Sequence, residues 1–113
     1  MSITEVRVVA AIQRWCHDRS KLTSGKGNQF QHRGFQRRDE RTFDARMVRV
    51  LDFERAFTKL PDADQVMMLM AHRDGIGLHE LAEMISVSPN SMRRWLMDTR
   101  LALATLLEAQ NAL

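Results

Sequence analysis

The sequence predicts an all-α fold, on three observations. Apolar residues recur at intervals of three and four in several stretches, no stretch alternates with period two, and helix start and stop signals punctuate the chain. The expectation is a small helical domain of about five helices that closes on a helix, a tight turn and a further helix, a C-terminal helix-turn-helix. A length of 113 residues suffices for one core.

The first helix opens at Ser2-Ile3-Thr4-Glu5, where the serine hydroxyl and the glutamate carboxylate are placed to accept from each other's backbone N–H. Val8, Ile12 and Trp15, with Val9 and Cys16, give it an apolar side up to about His17. Residues 19–42 break the pattern with Gly25, Gly27 and Gly34, many lysines and arginines, and only Leu22, Phe30 and Phe35 as large apolar groups. So few aliphatic groups do not offset the entropy of ordering, and the stretch reads as a mobile basic linker. The expected organisation is an N-terminal helix over 1–18, a linker over 19–42 and a helical domain over 43–113.

Helical spacing resumes near Asp44, with Met47, Val50, Leu51, Phe53 and Phe57 expected to face inward, and stops at Leu60-Pro61. Asp62, with Gln65 three residues on, opens a third helix carrying Val66, Met67, Leu69 and Met70. That helix ends at Asp74-Gly75, where glycine supplies a left-handed C-cap. Leu78 to Ile85 gives two helical turns, and Ser88-Pro89 starts the last helix, with serine as N-cap and proline at the first helical position. In that helix Leu101, Leu103, Leu106, Leu107 and the following Leu113 fall on more than one side. One side completes the core; the other is expected to pack on Val8, Ile12 and Trp15, the alternative being a second copy of the chain in a homodimer.

The segment 77–97 carries the functional expectation. Leu78, Leu81, Ile85, Val87, Met92, Trp95 and Leu96 are expected to fill the angle between its two helices, with Ala82 at their closest approach. Ser91, Arg93, Arg94 and Met97 are then left outward, with Ser88 and Asn90 at the amino end. Small polar groups and free N–H groups at a helix start suit phosphate. Arginines one turn further in suit the O6/N7 edge of guanine, worth roughly 1–3 kcal/mol of base discrimination each. This is the layout that lays a second helix in the major groove of double-stranded DNA. The plainer alternative is a pair of arginines on a solvated face.

The net charge of +3 is unevenly spread. Residues 1–46 hold ten Lys/Arg against five acids, and residues 47–113 hold seven against nine. The basic character lies mainly outside the expected reading unit, which implies help from the basic stretch or from a second protein in holding a nucleic acid. Within that stretch, Phe30-Gln31-His32-Arg33-Gly34-Phe35-Gln36-Arg37-Arg38 interleaves aromatics with bases, making Arg33, Arg37 and Arg38 candidates for a nucleic-acid arm or for docking on a protein.

Other classes are disfavoured. No run approaches the roughly 20 apolar residues of a membrane span, and no signal-peptide profile opens the chain. The lone Cys16 permits no internal disulfide, which points to the cytoplasm. His17, His32, His72 and His79 lack zinc spacing, so no metal or cofactor is expected. A phosphate loop, a nucleophile elbow and a paired carboxylate set are all missing, so the chain does not read as an enzyme.

From Leu60-Pro61 through Arg73-Asp74-Gly75-Ile76-Gly77-Leu78-His79-Glu80-Leu81-Ala82 to Val87-Ser88-Pro89-Asn90-Ser91-Met92-Arg93-Arg94-Trp95-Leu96 and Thr99-Arg100-Leu101-Ala102-Leu103, the chain resembles region 4 of sigma-70-type factors. The resemblance covers roughly residues 55–107. It implies a second helix that enters the major groove, with Ser91, Arg93, Arg94 and Met97 toward bases and Ser88 and Asn90 near phosphate, and a neighbouring surface for RNA polymerase. Ser86 departs from the family by standing where a turn glycine is usual. Nothing upstream resembles a −10-reading region, so a stand-alone sigma factor is not expected. With Arg14-Trp15 on the first helix, the arrangement is also similar to phage antitermination proteins of the Q type. The expected function is therefore a sequence-specific DNA-binding transcription regulator of phage or bacterial type. Alternatives are an adaptor that binds RNA polymerase with incidental DNA contact, and a small-terminase-like packaging protein.

Overall fold

Ser2 caps the first helix reciprocally: the Glu5 N–H donates to Ser2 Oγ and the Ser2 N–H donates to Glu5 Oε1, both at 3.2 Å. From that cap α1 runs over Ile3–Ser24. The structure, a computed structural model, describes residues 1–24 and 37–113, with side chains over 1–22 and 45–113. Helix α1 continues well past residue 18. Arg19, Lys21 and Leu22 are good helix formers, and Asp18 is buried against the next helix, where Arg49 donates to its two oxygens through Nε at 3.1 Å and Nη2 at 3.3 Å. Helix α2 spans Arg37–Phe57 and so begins before Asp44. Both ends of the expected linker, 19–24 and 37–42, are thus helical. Residues 25–36, including Arg33, lie outside the described residues, as do the side chains of Arg37 and Arg38.

Trp15 of α1 stacks on Phe53 of α2, with ring centroids 4.9 Å apart, and lies 5.3 Å from Phe57. Each such pair adds about 0.5–1.5 kcal/mol beyond the area it buries. Val50, Phe53 and Phe57 are buried as their spacing predicts, together with Ala56. Leu51 is not: it is half-exposed, one residue and about 100° around the helix from Val50.

Helix α3 spans Asp62–Met68. It buries Met67 and Met68 and leaves Val66 half-exposed. Asp64 stands one turn before Met67 and Met68 on the same side, and its Oδ1 accepts from the Trp95 indole N–H at 2.7 Å. A π-helical turn follows over Leu69–Arg73. Its wider ladder is closed by the Asp74 N–H donating to the Leu69 carbonyl at 3.0 Å, and Gly75 at φ +70° turns the chain out as a left-handed cap.

Helix α4 spans Leu78–Ile85 and α5 spans Pro89–Ala109. Leu81, Ala82, Met92 and Leu96 are buried between them and the core, with Leu78, Val87 and Trp95 packed at the edge. Ile85 is exposed instead of filling the angle. Further along α5, Leu103 and Leu107 join Val8, Ala11 and Ile12 in the same buried cluster. The last helix therefore packs on the first within one chain. The described chain is all-helical, with five α-helices around one core and no strand among the described residues. None of its described helices is long and apolar enough to cross a membrane.

Candidate nucleic-acid interface

The chain between α4 and α5 is short because Ser86 takes the left-handed conformation, φ +65° and ψ +43°. This lets the Val87 N–H donate back to the Ala82 carbonyl at 3.0 Å, and it brings Ser88 to the start of α5 in extended conformation. Ser88 is the N-cap: the Ser91 N–H donates to its Oγ at 3.1 Å, and the Ser88 and Ser91 hydroxyls are bonded to each other at 2.9 Å. The Met92 N–H donates to the Ser88 carbonyl at 2.9 Å, and Pro89 has no N–H. Among the described residues, Asn90 therefore has the one amide of that first turn without an acceptor. The helix start offers one N–H to an anion, fewer than the sequence suggested.

All six residues expected to face DNA are exposed: Ser88, Asn90, Ser91, Arg93, Arg94 and Met97. They are not equivalent. The inner side of α5 is set by buried Met92, Leu96, Thr99 and Leu103. At 100° per residue, the opposite side carries Asn90, Arg94, Met97 and Leu101, with Asp98 beside Arg94, while Ser91 and Arg93 fall on the flanks. Arg93 is held there, its Nη1 donating to Asn90 Oδ1 at 2.9 Å. Arg94 has no hydrogen-bond or ion-pair partner among the described residues. Asp98 and Leu101 escaped sequence reasoning, although their helical phase places both on the same face.

The face rests on two anchors. One is the bond from Trp95 to Asp64. The other is a buried ion pair lower on α5, where Arg100 Nη1 meets Glu5 Oε2 at 3.1 Å with side-chain exposures of 13% and 8%. Arg100 Nε also donates to His72 Nε2 at 3.4 Å, a long bond. The Ser2 backbone N–H, with Arg100 and the Ser2 hydroxyl, holds the Glu5 carboxyl below its ordinary pKa despite burial. Burial, with Arg100 alongside, pushes the His72 imidazole down.

Elsewhere, α1, α2 and the chain end border a cleft of about 320 Å³ lined by Arg14, Trp15, Asp18, Arg49, Asp52 and Phe53, among others, and by none of the expected DNA-facing residues. No group of three or more His, Cys, Asp or Glu residues is placed to hold a metal ion among the described residues. Compared with protein-family models, curated proteins and solved structures, the chain matches none of them.

Proposed function

We propose that this chain is a sequence-specific DNA-binding regulator of transcription, of bacterial or phage type, that works in the cytoplasm beside RNA polymerase. It reads double-stranded DNA through the first three turns of α5. The observation that carries this reading is Arg94: an exposed guanidinium with no partner among the described residues, at the middle of a helix face anchored from beneath. A five-donor planar cation in that position matches the acceptor edge of guanine. Arg93, Asn90 and the cap residues flank it toward the phosphates. The resemblance to sigma region 4 supports a partnership with polymerase, and antitermination is the specific form that the second resemblance suggests.

Selection from a random double-stranded DNA pool tests the reading. The chain is expected to enrich a short motif, and Arg94→Ala is expected to relax preference at one base pair, at a cost of about 1–3 kcal/mol. Arg93→Ala is expected to weaken all sequences more evenly and to reduce the salt dependence. Failure to enrich any motif would overturn it.

A second reading, an adaptor whose exposed surface docks on polymerase, is favoured by the acidic balance of residues 47–113 and by exposed Val66 and Met84. Capture of polymerase by a chain that enriches no DNA motif would decide for it.

A further inference from the structure

We propose that Asp98 is a specificity-determining residue which, with Arg94 one turn before it, restricts the outer face of α5 to a site where a guanine is accompanied by a cytosine. The inference rests on the DNA reading proposed above and adds the base class that the face selects. Asp98 is exposed, and neither it nor Arg94 carries an ion pair among the described residues, although they lie four residues apart on one helix face. The two groups therefore leave both a set of donors and a set of acceptors unspent on the side away from the core.

A carboxylate on a face that approaches DNA is repelled by the phosphates, so it weakens binding to most sequences. It is repaid only where it finds a donor. In the major groove the exocyclic donors are cytosine N4 and adenine N6. Adenine sets its N7 acceptor beside N6, which repels a carboxylate, whereas cytosine presents its N4 amino group next to a carbon. Cytosine is the better partner. Arg94 has the complementary requirement, since its guanidinium spans the O6 and N7 acceptors of guanine. Four residues of α-helix separate the two by about 6 Å along the axis, close to two base-pair steps of roughly 3.4 Å each. Met97 is exposed on the other side of Arg94 from Asp98, about 60° around the helix.

The pool selection is run on the wild-type chain, on Asp98→Ala and on Asp98→Asn, with helix content checked for each. The wild-type motif is expected to contain a position where cytosine is preferred, roughly tenfold on the scale of one good base contact. Asp98→Ala is expected to flatten that position alone and to bind unrelated DNA more tightly. Asp98→Asn is expected to move the preference there toward adenine, because an amide both donates to N7 and accepts from N6. A wild-type motif that survives unchanged at every position in both variants overturns the role of Asp98 and leaves the DNA reading standing. A wild-type chain that enriches nothing overturns both.

Discussion

Trp95 and Asp64 join the outer helix to α3 through one hydrogen bond, in which the indole N–H donates to the carboxylate at 2.7 Å. The acceptor is charged and both groups are half-buried, so the bond is shielded from water on one side only. Bonds to charged groups contribute about 1.5–3 kcal/mol when well shielded. Partial exposure brings the expectation for Trp95→Phe down to about 1 kcal/mol of stability, read as a shift in the urea midpoint. Asp64→Asn keeps an acceptor and is expected to lose less. An unchanged midpoint for Trp95→Phe would show that packing of the ring against the core is enough to fix α5.

Acid is expected to loosen the junction of α1, α5 and the π-helical turn in two stages. His72 has its pKa lowered by burial, with Arg100 adding to the effect. The unfolded chain therefore binds more protons at this site as the pH drops below about 6.5, the ordinary value, and stability falls. Protonation also removes the acceptor that Arg100 Nε uses. Glu5 is lowered chiefly by the Ser2 N–H and also by Arg100, so its contribution is complete above about pH 4.3 and is lost as the pH falls through its folded value. The melting temperature, followed from pH 7.5 to 3.5 in steps of about half a unit, is expected to show both declines. His72→Gln is expected to remove the upper one and retain the lower. An upper decline that persists in His72→Gln would mean another group causes it.

Ala82 is buried where α4 meets α5, and its carbonyl accepts from Val87 across the turn. Leucine is nearly as good a helix former as alanine, so Ala82→Leu tests packing apart from propensity. Overfilling the crossing is expected to cost about 1–3 kcal/mol in thermal or urea unfolding. A stability equal to that of the parent chain would show that the two helices have slack between them.

The caps were legible in the sequence because capping is local. Ser2 with Glu5, Ser88 with Pro89, and Gly75 each act within a few residues, and each forms as its residues dictate. Helical phase was less legible wherever apolar residues stand side by side. Val50-Leu51 and Val66-Met67-Met68 allow two inward choices, and tertiary packing buries Val50, Met67 and Met68 while Leu51 and Val66 stay exposed. The length of α1 was hidden for a different reason. Asp18 is satisfied by Arg49, 31 residues away, and Glu5 by Arg100, 95 residues away, and no local rule supplies such partners. At the candidate interface, exposure followed from phase, whereas the difference between a tethered Arg93 and an untethered Arg94 depends on side-chain conformation that spacing does not encode.

Ser86 holds a conformation that suits glycine, at φ +65°, and its exposed side chain makes no hydrogen bond among the described residues. A residue with a Cβ in the left-handed region is disfavoured by about 1–2 kcal/mol. Glycine escapes that penalty but gives up about 0.5–1 kcal/mol through the greater freedom of its unfolded chain. The difference favours glycine, and Ser86→Gly is expected to raise stability by about 0.5–1 kcal/mol. Because the change lies outside α5, the DNA motif enriched by the variant is expected to match that of the parent. Urea unfolding reads the first expectation and the pool selection reads the second. A loss of stability would show that the serine contributes to the turn beyond the backbone angle it adopts.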